Sequence, residues 1–173
     1  MTGQNMPAMA LRGLTVFPNT MLHFDVGRQA SIRALDEAMT AGSQIFLVAQ
    51  RDLSVEEPGE ADLYTVGTIS NIRQILRLPG DNVRVMVEGA ARGAMRARTQ
   101  TSPCLRAAVE EIAPKDPVRR LARTEALIRR TYERFEHYVE LSPRMTSDVL
   151  LSVLSSDDAG YIADYIAQNI VMR

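Results

Sequence analysis

The sequence predicts an α+β chain: a β-rich first part that curls into a barrel with one helix, then a small bundle of about three helices. Three observations carry this. Val83, Val85 and Val87 alternate with Arg84, Met86 and Glu88 directly after the turn Pro79-Gly80-Asp81-Asn82, the signature of a hairpin strand with two unlike faces. From Leu121 onward apolar residues recur at helical steps instead. Between the two regimes lies Ala113-Pro114-Lys115-Asp116-Pro117, a break that sets the boundary between residues 1–113 and 114–173.

The elements follow in order. Leu11–Phe17 is short, apolar and interrupted by Gly13, and Pro18-Asn19 makes a turn. After Gly27, Ile32, Leu35, Ala38 and Met39 lie on one helical stripe, and Gly42 is placed to end the helix in the left-handed conformation. Ile45–Ala49 is an unbroken apolar run, as in a strand buried on both faces. An acidic loop carrying Asp52, Glu56, Glu57, Glu60 and Asp62 leads into a long strand, Tyr64–Leu78. Gly89 and Gly93 mark a bend or bulge that lets the next strand curl, and Cys104–Ile112 supplies one more strand.

In the second part Asp116 and Pro117 form a cap-then-proline start. Leu121, Ile128, Tyr132, Phe135 and Val139 share one helix face. Ser142-Pro143 repeats the device ahead of Met145, Val149, Leu150, Val153 and Leu154. Ser155 with Asp158 resembles a capping box, Asp157-Asp158 supplies N-terminal charge, and Ala159, Ile162, Ala163, Ile166 and Ile170 complete a last helix that carries no stop signal.

Composition narrows the function. Hydrophobic residues at 46% and charged residues at 24% suit a soluble globular chain. A net charge of −1 gives no general attraction to nucleic acid or anionic lipid, and 5% aromatics with no Trp leaves few stacking platforms. The single cysteine, Cys104, excludes an intramolecular disulfide and a cysteine-based zinc cluster, and is read as a small buried residue. His23 and His137 lie in different parts with no ligand partners at metal spacing, so neither a metal nor a catalytic residue is assigned. The arginines at 119, 120, 123, 129, 130 and 134 interleave with Glu125, Glu133 and Glu136 and read as surface ion pairs. MTGQNMPAMA has neither a basic start nor a long apolar run, and no segment approaches the ~20 apolar residues of a membrane span, so the expected location is the cytoplasm, with no membrane partner.

What remains are apolar residues where water is expected. Pro18, Met21 and Leu22 occupy a turn, Leu78 and Pro79 flank the hairpin tip, and Met86 lies on the strand face opposite Val83, Val85 and Val87. One of those two faces points out of a barrel. The alternative is that Met86 covers the junction between the two parts and the others close the end of the barrel.

LRGLTVFPN at Leu11–Asn19, LHFDVGR at Leu22–Arg28, IFLVAQRD at Ile45–Asp52, DLYTVGT at Asp62–Thr68 and RQILRLPGDNVRVMVEG at Arg73–Gly89 resemble, in order and spacing, the motifs of the Lon protease N-terminal domain. The end, LSSDDAGYIADYIAQNI, is similar to the helical section that follows in bacterial Lon. The resemblance implies a PUA-like pseudo-barrel and the start of a longer helical region. It implies a parent that is a cytoplasmic, homohexameric, ATP-dependent serine protease, in which this region recognises unfolded or degron-bearing polypeptides and helps order the subunits. Pro18, Met21, Leu22, Leu78, Pro79 and Met86 would form the substrate-binding patch, methionine being suited to varied partners.

The chain holds no G-x-x-x-x-G-K-[ST] string, and its one lysine, Lys115, stands beside the boundary prolines. ATP, magnesium and the Ser–Lys dyad that the resemblance implies would therefore lie in the parent's other parts, leaving this chain without cofactor or catalytic residue. Two further readings stay open: a stand-alone Lon-domain protein, and a PUA-like RNA-binding module.

Overall fold

A computed structural model describes residues 3–113, 122–143 and 145–170. The chain separates into two compact units, Met1–Ala113 and Pro114–Arg173.

The first unit contains β1 (Gln4–Leu11), β2 (Met21–Val26), α1 (Gln29–Thr40), β3 (Gln44–Ala49), β4 (Val66–Arg77), β5 (Val83–Gln100) and β6 (Arg106–Glu111). They form one mixed sheet in the order β2-β5-β4-β3-β1-β6, and β6 also pairs with β5. That last pairing closes β5, β4, β3, β1 and β6 into a ring, the barrel expected of the α+β chain. Closure depends on the length of β5. Val83–Glu88 pairs with β2, and Gly93–Gln100 bends onward to pair with β6.

Two bulges make the bend. Ser70 faces Gly89 and Ile69 faces Ala91, leaving Ala90 as the extra residue, and Arg73 is extra between Ile72 and Gln74. The glycines serve close approach: Gly67 and Gly93 are register partners, and the Phe46 ring lies against both. A β-carbon at Gly93 would also stand 2.6 Å from Val109 Cγ1.

Two apolar clusters fill this unit. Phe46, Val48, Ile69 and Val109 belong to one, together with Met6 and Ala8. Ile45, Leu47, Val83, Val85 and Val87 belong to the other, with Ile32 and Leu35 of α1. β3 thus feeds alternate residues to both, which is why its sequence is continuously apolar.

Several expectations shift by a few residues. The first strand, Gln4–Leu11, precedes the apolar segment Leu11–Phe17, which is irregular. Met6, Ala8 and Met9 are all buried, so β1 shows no alternation to read. Met39 is exposed, although Ile32, Leu35 and Ala38 face the core and Gly42 takes a φ of 104°. Cys104 is buried but sits in the bend before β6, after the cis Ser102-Pro103 bond.

The second unit contains α2 (Ala122–Leu141), α3 (Ser147–Leu154) and α4 (Ala159–Asn169) around Phe135, Val153 and Ile162. Asp116, Pro117 and Leu121 lie outside the described residues. Ser142-Pro143 terminates α2 instead of starting a helix: the Ser142 amide donates to Val139 O, and α3 begins after Thr146. Ser155 caps the C-terminus of α3, and α4 is capped by Asp158, whose carboxylate accepts from the Gly160 and Tyr161 amides.

Candidate functional site

The pairing of β2, β5 and β4 lays nine residues on one outward face. Met21 is opposite Glu88, His23 opposite Met86 and Asp25 opposite Arg84. On the other side of β5, Glu88 meets Asn71, Met86 meets Gln74 and Arg84 meets Leu76. The inward residues Val83, Val85 and Val87 are buried, so this face is the one turned to water.

Across this grid Met21, Met86 and Leu76 fall on a diagonal. Diagonal neighbours on adjacent strands stand about 7–8 Å apart, within reach of long side chains. Met21 is 60% exposed and Leu76 is 51% exposed, while Met86 between them is half-buried. Charged pairs hold the two remaining corners. Arg84 donates to both carboxylate oxygens of Asp25, at 2.7 and 2.9 Å, and Arg73 donates to Glu88. The hydrogen bonds from Arg84 hold the Asp25 carboxyl below its usual range, and Asp25 in turn raises Arg84. Both pairs are spent on each other, which leaves the diagonal as the apolar element of the face.

The sequence-predicted residues divide on this geometry. Pro18 is half-buried beside Gly89, near the Met21 end of β2. Leu22 turns the other way and packs against the core with Phe24 and Ile75. Leu78 is half-buried and closes the hairpin by donating its amide to Asn82 O at 2.8 Å, and Pro79 beside it is exposed. The tip lies beyond Val83, at the end of β5 away from the Glu88–Met21 pair. Leu76, which the sequence reading missed, stands between Met86 and the tip. Its outward face depends on the Arg73 bulge, which reverses the side-chain parity of β4 and leaves no trace in the residue types.

The other candidates are occupied or solvated. The Cys104 thiol donates to Glu37 Oε2 at 2.9 Å, and burial pushes its pKa up, away from nucleophilic behaviour. His137 faces Glu140 at 3.6 Å. Among the described residues no ion pair joins Arg123, Arg129, Arg130 or Arg134 to Glu125, Glu133 or Glu136, so the paired surface expected on α2 is a solvated one. Pairs between long exposed side chains are worth only about 0–1 kcal/mol, so their absence costs this surface little. Among the described residues no group of three His, Cys, Asp or Glu is placed to hold a metal ion, and no helix is long and apolar enough to cross a membrane.

Beside Phe24–Val26 a pocket of about 270 Å³ is lined by Leu11, Leu14, Arg12 and Arg28. Arg28 donates to Gln50 Oε1 at 2.5 Å, and its pKa is lowered by burial and by the nearby Arg12 charge.

A barrel of this topology with a three-helix unit following it in the chain is the fold of Lon N-terminal domains. The N-terminal domain of Lon from the Mycobacterium avium complex superposes with a TM-score of 0.76, over 97% of this chain and 85% of that one, at 18% identity. A Lon N-terminal domain protein from Xanthomonas campestris gives 0.56, over 97% and 99%, at 15% identity. Residues 5–173 match the family described as the ATP-dependent protease La (LON) substrate-binding domain, and the chain belongs to that family. Lon proteases of Syntrophomonas wolfei and Clostridioides difficile are 39% and 40% identical over 99% and 97% of the chain. The chain spans about a fifth of the length of these relatives (21% and 22%).

Proposed function

We propose that this chain is the substrate-recognition and assembly part of a homohexameric, ATP-dependent Lon serine protease, and that it holds unfolded or damaged polypeptides for delivery to ATPase and protease parts outside these residues. The observation that carries the reading is the diagonal Met21–Met86–Leu76 on the outward face, extended by Pro18 at one end and by Leu78 and Pro79 at the other. Two methionines and a leucine, set between ion pairs that are already satisfied, suit weak contact with many apolar sequences. Six copies in one assembly would turn weak contacts into useful avidity. ATP and magnesium would act in the other parts of the parent. The net charge of −1 disfavours RNA as the partner.

The test is an NMR titration of the 173-residue chain with reduced, alkylated α-lactalbumin, a permanently unfolded protein. Shifts should cluster at Met21, Leu76 and Met86. Shifts confined to the second unit, or none at saturating probe, would overturn the reading.

A further inference from the structure

β2 is hydrogen-bonded on one side only along its whole length, to β5. The bulge where it begins sets which of its backbone groups are used. Asn19, at a φ of 59°, donates its amide to Gly89 O, and the Gly89 amide donates to Thr20 O, both at 2.9 Å. In an antiparallel ladder the bonded positions alternate. Leu22, Phe24 and Val26 therefore turn their backbone groups toward β5, while Met21, His23 and Asp25 turn theirs to the open side. Among the described residues no backbone hydrogen bond outside the β2–β5 ladder reaches Met21, His23 or Asp25.

Open edges invite pairing, and proteins usually blunt them with prolines, lysines or bulges. The tip of β4 is guarded: it carries Arg73 and Arg77, and Arg77 is tied to Asp36 of α1 at 2.9 Å. Met21–Val26 has no proline or lysine, the bulge lies ahead of it at Asn19 and Thr20, and its one acid, Asp25, is tied back to Arg84. On its outward face the edge is continuous with the apolar diagonal. Beside its other face lies the 270 Å³ pocket of Leu11 and Leu14, whose charged lining is Arg12, Asp25 and Arg28.

We infer that an extended segment of the substrate polypeptide adds to β2 as a further strand, bonding to the backbone of Met21, His23 and Asp25. This rests on the function proposed above and specifies how the same surface holds its substrate. Main-chain hydrogen bonds carry no side-chain specificity, as a receptor for many unrelated chains requires. Side chains on one face of the added strand would join Met21 and Met86. Those on the other would reach the pocket, where Leu11, Leu14 and Phe24 offer apolar contact.

The probe is an end-capped ten-residue peptide alternating Val and Thr, added to the 173-residue chain. Binding should protect the Met21, His23 and Asp25 amides from hydrogen exchange. Methylating the peptide's backbone nitrogens on its bonding edge should weaken binding at least tenfold. His23→Pro removes one open-side amide without touching the β5 ladder, where proline is tolerated. It should lose binding tenfold, while His23→Ala stays within twofold. Equal affinity of the methylated peptide for the unaltered chain would overturn strand addition whether or not His23→Pro folds. Shifts at Met21 and Met86 without amide protection would sink strand addition but leave the apolar surface standing. No binding by this peptide or by unfolded protein would sink both.

Discussion

The Phe17 carbonyl oxygen fills the space that a β-carbon would need at Gly89, and Pro18 Cα stands 3.2 Å from the same point. Asn19 and Thr20 then clasp Gly89 with two backbone hydrogen bonds and launch β2. Gly89→Ala should therefore force the Phe17–Thr20 segment off the sheet, at a cost of about 1–3 kcal/mol in urea unfolding. The Met21 methyl resonance should move as well. An alanine variant as stable as the parent, with an unmoved Met21, would show that the segment yields freely and that the launch point of β2 is not set here.

The cap of α4 is a second exposed test of local structure. Asp158 accepts from the Gly160 amide at 2.7 Å and the Tyr161 amide at 3.1 Å. Asp158→Ala should cost about 0.5–2 kcal/mol, read from the melting of the helical signal. Ser155→Ala should stay within about 0.5 kcal/mol, because its hydroxyl donates back to Ser152 O inside α3 and the cap of α4 is Asp158. A larger loss at Ser155 than at Asp158 would restore the capping-box reading.

These two sites mark what the residues disclose and what they hide. The hairpin and α1 are legible because periodicity reports burial directly, and β3 because an unbroken apolar run reports burial on both faces. Val83, Val85 and Val87 are buried as their alternation demands. β1 is illegible because Gln4, Asn5 and Pro7 break up its buried Met6, Ala8 and Met9, so it shows neither alternation nor the unbroken apolar run of β3. At the site, Met86 follows from alternation, whereas Leu76 and Leu22 do not, and Met21, expected with Leu22 in a turn, opens β2 instead. Leu76 depends on a bulge that reverses parity, and Leu22 on which face of β2 meets the core. Both are fixed by strand pairing, which the local sequence does not contain.

Arg84 sets the acid behaviour of this face. Its hydrogen bonds hold the Asp25 carboxyl below the usual range, so the folded state keeps that carboxylate ionised at pH values where the unfolded chain takes up a proton. The contribution is complete above the ordinary carboxylate pKa of about 3.9 and is lost as pH falls below it. Arg84→Ala should return Asp25 to the ordinary range in an NMR titration of its side-chain carbon. The stability difference between the two chains should be present at pH 6 and gone in strong acid. An Asp25 that titrates alike in both would mean that the pair does not persist in solution.

Leu76 and Leu22 separate the binding surface from the core. Leu76 is half-exposed, and Leu22 is packed against the α1-side cluster. Leu76→Ser changes an exposed position, so unfolding should move by no more than about 0.5 kcal/mol. It removes one third of the apolar diagonal, and the affinity for unfolded α-lactalbumin should drop about three- to fivefold, equivalent to about 1 kcal/mol of partial side-chain burial. Leu22→Ala should do the reverse, costing about 1–3 kcal/mol of stability through lost packing, with affinity unchanged under conditions where the variant stays folded. Isothermal titration of each folded variant reads the affinities, and urea unfolding reads the stabilities. If Leu22→Ala weakens binding while Leu76→Ser does not, substrate meets the inner side of β2, and the outward diagonal is only a solvated sheet face.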